Sequence, residues 1–359
     1  MTDSAASLVD ASRDPREGEQ LDAAAVGAWL KQQVPGLTGD CTIRQFPGGS
    51  SNLTYHVMVG DRDMVLRRPP FGRIAKSAND MVREARILQR LKPVFHYVPG
   101  VVAICEDDSV MGAGFYVMER IKGIIPRKDF PKGMEVSPEL ARQLCEKLLD
   151  VLIELHSIDH VTAGLADLGK PAGYVKRQVE GWSKRYTDAM TPDAPDCTDI
   201  MQWLHDKQPG EVKHCIIHND YRFDNVVLDA QDPKRIIGVL DWEMSTLGDP
   251  LMELGTVLCT WTEATDPPVA LMSRQQPTTV PGMMTRAEVM AYYCRKMQLS
   301  LDKYDFYRVY GLFRMAGIVQ QIYYRYFHGQ TKDPRFAPMV YFVQHLAEAC
   351  RAQIRDSNL

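Results

Sequence analysis

The sequence predicts an α+β chain in two parts: a small antiparallel sheet with one main helix, then a larger, mainly helical part. Three observations predict it. Alternating β-type runs crowd the first third, helical periodicity dominates beyond Gly123, and short apolar strands interrupt the helical part between residues 216 and 242.

Residues 1–20 are rich in Ser, Ala, Asp, Glu and Arg and read as a mobile tail. A short helix follows, with Leu21, Val26, Trp29 and Leu30 on its apolar face. The runs CTIRQF and LTYHVMV alternate and are separated by PGGSSN. A turn at Gly60-Asp61-Arg62-Asp63 leads into MVLRR, so three strands follow one another. Asn79 to Leu91 reads as a helix, with Met81, Ala85, Leu88 and Leu91 on one face. VPGVVAIC and GFYVMERI supply two more strands. Ser137-Pro138-Glu139 is a helix start, with Ser as cap and Pro in the first turn, and Leu140, Leu144, Leu148 and Leu152 carry that helix to His156. Thr285-Arg286-Ala287-Glu288 is a capping box. Asp305 to Tyr326 is a long aromatic helix whose tyrosines read as core, as do Trp182, Trp203, Trp242 and Trp261. The Pro-rich stretch from Thr265 to Pro281 reads as an exposed loop. The expected division is a tail (1–20), a small lobe (21–120) and a large lobe (121–359).

Bulk properties narrow the function. The 359 residues are 45% hydrophobic and 25% charged, enough for a sizeable core. Forty-two basic against 46 acidic residues leave a net charge of −4. No global positive field exists to hold nucleic acid or an anionic membrane. No run approaches the ~20 apolar residues of a membrane span, and the first residues lack a signal-peptide core. The expectation is a cytoplasmic protein with reduced thiols at its eight cysteines, none of them in a C-x-x-C pair.

The chemistry concentrates in IIHNDYRFDNVVLD, residues 216–229. A short strand leads into His218-Asn219-Asp220, four residues separate Asp220 from Asn225, and GVLDWE places Asp241 at the end of a later strand. A hydroxyl attacking a phosphoryl group needs a carboxylate to orient it and take its proton. A hard divalent ion needs oxygen ligands, which an Asn amide and an Asp carboxylate supply. His218 reads as structural, since a His ligand is unusual for Mg²⁺, and Asp249 as a helix cap; Glu243 stays open in role.

His218-x-Asp220-x-Arg222-x-x-Asn225 followed by Asp241 resembles the catalytic loop and metal-binding Asp of the protein-kinase-like fold, in the form of the aminoglycoside phosphotransferase and choline kinase family. The resemblance implies a two-lobed fold that binds ATP and Mg²⁺ and phosphorylates a small-molecule hydroxyl. It makes Asp220 the catalytic base and Asn225 and Asp241 the metal ligands. Arg222 matches the position where protein kinases commonly place a phosphate-contacting Lys. In PGGSSNLTY, the residues Gly48, Gly49, Ser50, Ser51 and Asn52 match the bend that covers the phosphates. Arg67 takes the place of the usual strand Lys, with Glu84 as its helix partner. Met118 stands as gatekeeper, and the backbone of Glu119 and Ile121 would hold adenine. Two departures stand: the bend lacks the full G-x-G-x-x-G spacing, and the strand cation is Arg, which can still grip phosphate. Strand alternation lets only one of Arg67 and Arg68 enter the cleft. VLRRPP, HNDYRFDN and LDWEMSTLGDP are similar to the kinase-like domains fused to acyl-CoA dehydrogenases in animals and to free-standing bacterial relatives, which implies a hydroxyacyl or acyl-CoA-type acceptor. The competing readings are a catalytically silent nucleotide- or metabolite-binding module, a metal-dependent hydrolase, which calls for a richer His/Asp cluster, and a protein kinase, which calls for an A-P-E segment.

Overall fold

The computed structural model describes residues 7–47, 52–71 and 80–359. Gly48, Gly49, Ser50 and Ser51 of the expected phosphate bend lie outside the described residues.

The first part is built on a five-stranded antiparallel sheet of β1 (Cys41–Gln45), β2 (Leu53–Val59), β3 (Arg62–Arg68), β4 (Val101–Cys105) and β5 (Phe115–Glu119), in the order β1-β2-β3-β5-β4. Period-2 alternation sorts the side chains. Tyr55, Val57, Leu66 and Val117 bury one face against helix α1 (Ala23–Gln33) through Val26 and Leu30. Val65, Tyr116 and Met118 take the other face, toward α2 (Met81–Leu91) and its Ala85 and Leu88. Arg67 is therefore on the α2 face. Arg68 is on the opposite one, its guanidinium 3.7 Å from the centre of the Phe71 ring. Residues 7–20, read from sequence as a mobile tail, carry specific contacts: Arg13 bridges Gln45, Ser12 Oγ bonds His56 (2.9 Å), and the Asp10 N–H donates to the Gly123 carbonyl (3.1 Å).

The second part contains α3 (Pro138–Ser157), α4 (Tyr174–Asp188), α5 (Thr198–Asp206), α6 (Pro250–Thr260), α7 (Pro268–Met272), α8 (Arg286–Met297), α9 (Tyr304–Phe327) and α10 (Met339–Asp356). The expected starts hold. Ser137 caps α3 by accepting from the Leu140 N–H, and the Thr285–Glu288 capping box opens α8. Two short antiparallel ladders sit among the helices: β6 (Cys215–Ile217) with β9 (Thr246–Gly248), and β7 (Val226–Leu228) with β8 (Ile236–Val239). The stretch from Thr265 to Pro281 departs from the expected exposed loop. It contains α7, and Gln276, Pro277 and Thr278 are buried. Proline and polar content signals a break in regular structure, but burial is decided by partners far along the chain. All eight cysteines are free. Among the described residues no helix is long and apolar enough to cross a membrane.

Helices α6 and α9 cross at Gly255 and Gly311. A Cβ on Gly311 would sit 2.0 Å from the Gly255 carbonyl oxygen, so this crossing depends on the missing side chain. Gly311→Ala is expected to cost about 3 kcal/mol of stability through overpacking, read as a lower urea midpoint at unchanged slope.

Candidate active site

The loop after β6 carries His218 to Arg222 and closes with a single 3₁₀ turn, Phe223–Asn225. Its geometry is held from below. Glu253 on α6, fully buried, accepts the backbone N–H groups of His218 (3.1 Å) and Asn219 (2.5 Å), and His156 Nε2 lies 2.7 Å from it. Burial pushes the Glu253 carboxyl up, but these partners hold it below the usual range. Asn219 is left-handed (φ 67°) with its N–H captured by Glu253, a conformation that costs a non-glycine residue energy the surroundings must offset. His218 is structural, as the sequence predicts, and braces the loop. A neutral imidazole with its proton on Nε2 satisfies both of its contacts, donating to the Leu240 carbonyl (2.9 Å) and accepting from the Asp220 N–H at Nδ1 (3.3 Å). Asp249 caps α6, as expected, through the Leu251 and Met252 N–H groups.

Asp220 is partly exposed, and its carboxylate accepts from Asn225 Nδ2 at 2.9 Å. The same nitrogen also donates to the Asp220 carbonyl, which leaves the Asn225 amide oxygen for a cation. The Leu240 N–H donates to the Asn225 carbonyl (2.8 Å), so the chain delivers Asp241 beside Asn225. Asp241 is also left-handed (φ 68°). Arg222 lies between Asp220 (3.4 Å) and Asp224 (2.9 Å) and bonds the side chain of Gln275.

The sheet contributes Arg67, 7% exposed. Its Nη2 donates to Asp241 Oδ1 at 2.8 Å, and its Nε lies 3.4 Å from Glu84 Oε2. Glu84 in turn accepts the Trp242 N–H (3.0 Å). Burial drives the Asp241 carboxyl up, yet Arg67 more than offsets it and holds it below the usual carboxylate range. Glu243, two residues on, takes a hydrogen bond from the Asn52 amide, and burial together with Asp241 raises it to about 7. Four carboxylates (Glu84, Asp220, Asp241, Glu243) thus share one neighbourhood with Arg67. That excess of negative charge and oxygen donors fits a hard divalent cation. Among the described residues no three His, Cys, Asp or Glu side chains form a ready-made metal cage. Mg²⁺ does not need one, because it takes one or two protein oxygens and fills its octahedron with water and phosphate.

A cleft runs from this cluster between the two parts. Val65, Met118, Ile121 and Leu240 wall it, and Arg67, Asn225 and Asp241 close its end. Glu119 also lines it, but its N–H is committed to the Gly100 carbonyl (2.8 Å), so only its carbonyl could serve a base there. A second cavity lies on the other side of Asp220, walled by Trp182, Arg222, Met244 and Arg314.

The profile of the Phosphotransferase enzyme family (APH) matches residues 42–288, from the first strand through the whole site. The chain belongs to that family. This phosphotransferase-family chain is 34% identical over 310 residues to acyl-CoA dehydrogenase family member 10 of Mus musculus, covering 85% of the chain and 29% of that protein. It is 32% identical over 338 residues to acyl-CoA dehydrogenase family member 11 of Homo sapiens, covering 92% and 42%. It therefore spans less than half the length of these relatives. A crystal structure from Ralstonia eutropha, named for the aminoglycoside phosphotransferases, superposes with a TM-score of 0.79 at 28% identity, covering 95% of this chain and 100% of that one. Choline kinase from Cryptosporidium parvum shares the fold at a TM-score of 0.59 and 10% identity, covering 93% and 96%.

Three supports escaped the sequence reading. One is Glu253, whose partners His156, His218 and Asn219 lie far along the chain. Arg83 ties α2 to the turn after Asp241 by donating to the carbonyls of Glu243 (3.1 Å) and Ser245 (2.6 Å). Gln276 accepts the Phe223 N–H (2.8 Å) while donating to Thr260. Gln276→Ala is expected to speed amide exchange at Phe223 by about tenfold, matching the loss of roughly 1–1.5 kcal/mol of hydrogen bonding; hydrogen-exchange mass spectrometry on the 218–228 peptide measures it.

Proposed function

We propose that this chain transfers the γ-phosphoryl group of ATP to a hydroxyl of a small molecule, with Mg²⁺ as the required ion. One observation carries the reading: Asp220 hydrogen-bonds Asn225, and Asn225 lines one cleft with the Arg67–Asp241 ion pair, so a base, oxygen ligands and a fixed cation stand together. Asp220 takes the proton of the acceptor hydroxyl. The acceptor oxygen bonds the γ-phosphorus as the bond to the β–γ bridging oxygen breaks, and ADP leaves with that electron pair. Asn225 and Asp241 hold Mg²⁺, which when bound neutralises charge on the phosphates. Arg67, fixed by Glu84, and Arg222 grip phosphate oxygens; the resemblance adds Asn52 together with Gly48, Gly49, Ser50 and Ser51, which lie outside the described residues. Met118, the Glu119 carbonyl and Ile121 enclose adenine. The catalytic effect is positioning and fixed charge.

The acceptor enters through the cavity beside Asp220. Similarity to proteins named as acyl-CoA dehydrogenase family members favours a hydroxyacyl or acyl-CoA-type acceptor. The test is a screen of hydroxylated metabolites (hydroxyacyl-CoAs, choline-like alcohols, aminoglycosides) for acceptor-dependent ADP formation. ADP release that no acceptor stimulates counts against transfer and for hydrolysis.

A further inference from the structure

The acceptor cavity, about 280 Å³, contains a charge that the reaction above does not use. Arg314, on α9, is 7% exposed and lines it together with Asp220. Its contacts among the described residues are a hydrogen bond to the Asn219 carbonyl (3.2 Å) and a position over the Trp182 ring at 5.4 Å. No described carboxylate pairs with it. A separate, larger cavity of about 490 Å³ shares the walls Cys259, Thr260 and Met315 with it. There Arg308, 8% exposed, donates to the Leu258 carbonyl (2.8 Å) and likewise has no described carboxylate partner. Arg286 in the same wall is matched by Asp266 and Glu263. Arg308 and Arg314 stand three residues either side of Gly311, at the tight α6–α9 crossing, so rigid backbone holds both.

A buried guanidinium without a counter-ion costs several kcal/mol, and an anion of the right shape relieves that cost through charge-assisted hydrogen bonds. Resting on the phosphotransferase reading, we propose that the acceptor is an anionic hydroxy compound, its carboxylate or phosphate docking on Arg314 while its hydroxyl faces Asp220. A cationic acceptor is disfavoured at the same place by like charge.

The test compares acceptors that share a carbon skeleton and differ at one end: a hydroxy acid, a phosphate monoester, a neutral methyl ester and an amino alcohol, each at several chain lengths. Wild type is expected to favour an anionic member over its neutral counterpart by about 30-fold in kcat/KM, the value of one hydrogen-bonded charge pair. The better of the acid and the phosphate identifies the anion. Arg314→Met is expected to bring that ratio close to one by raising KM for the anionic member, with KM for ATP little changed, and Arg314→Lys to restore part of it. Were Arg314 only a brace for Asn219, its removal would depress every acceptor alike and leave the ratio intact; that result overturns the proposal. So does a wild type that handles the neutral or cationic member as well as the anionic one. Titration calorimetry of the same panel, with a non-hydrolysable ATP analogue present, needs no turnover. Binding of an anionic member that is lost in Arg314→Met supports the site, and a panel with no anionic binding overturns it. Loss of this inference alone leaves acceptor-dependent ADP formation in place, whereas loss of the phosphotransferase reading removes it for every acceptor.

Discussion

Asp220→Asn is expected to lower acceptor-dependent ATP turnover by about 10³-fold and to leave nucleotide affinity within about threefold. The substitution keeps size and polarity, and the new amide oxygen can still accept from Asn225 Nδ2, so the loop has no steric reason to move. On the proposed function, what disappears is the charge that orients and deprotonates the acceptor hydroxyl, a contribution of roughly 10²–10⁴ in rate. The cleft proposed for the nucleotide is walled by Val65, Met118 and Leu240 and closed by Arg67 and Asp241, none of which is altered. Steady-state kinetics beside a fluorescent-nucleotide titration separates the two effects. Equal losses of turnover and nucleotide affinity would show that Asp220 is a structural residue and not the base.

Glu253→Ala is expected to destabilise the protein by about 3–5 kcal/mol, the range for breaking a buried, hydrogen-bonded charge network. The change leaves the N–H groups of His218 and Asn219 and the Nε2 of His156 without their partner in a fully buried place, and opens a cavity. It also releases the left-handed Asn219 that sets the direction of Asp220, so activity falls along with stability. Urea unfolding at neutral pH reads the free energy. The pH dependence has a definite sign. The folded-state pKa of Glu253 lies below the ordinary 4.5, so its contribution is present in full above that value and is lost as pH falls through the folded pKa. The wild-type and Glu253→Ala stability curves therefore converge on acidification. A constant gap down to the acid limit would mean that the carboxylate charge contributes nothing.

The part of the site legible in the sequence is the part encoded by local pattern. Asp220, Asn225 and Asp241 stand at fixed spacing between short apolar strands, and the structure joins them through the Leu240–Asn225 hydrogen bond. Period-2 alternation showed that Arg67 and Arg68 must part company; only the position of α2 decides that Arg67 meets Glu84. The supports were illegible because their meaning lies in partners far along the chain. Gln276 sits 53 residues from Phe223, whose N–H it holds, and Arg83 lies 160 residues from Glu243. Arg314 lies within the long aromatic helix, where periodicity reports that a side chain is buried and not that its charge lacks a counter-ion. The Thr265–Pro281 stretch has the composition of a loop, and what that composition does not report is how Gln276 and Thr278 are held by Phe223, Thr260 and Thr262.

The most direct test of the account follows the phosphorus. Protein, ATP labelled at the γ-phosphate, Mg²⁺ and the best acceptor of the screen are incubated, and the products are separated into inorganic phosphate and phosphorylated organic compound. The account predicts label in a phosphoester of the acceptor, one per ADP formed, abolished by a chelator and reduced in parallel by Asp220→Asn. Label found only as inorganic phosphate, or in an acceptor ester that forms undiminished with Asp220→Asn, contradicts it.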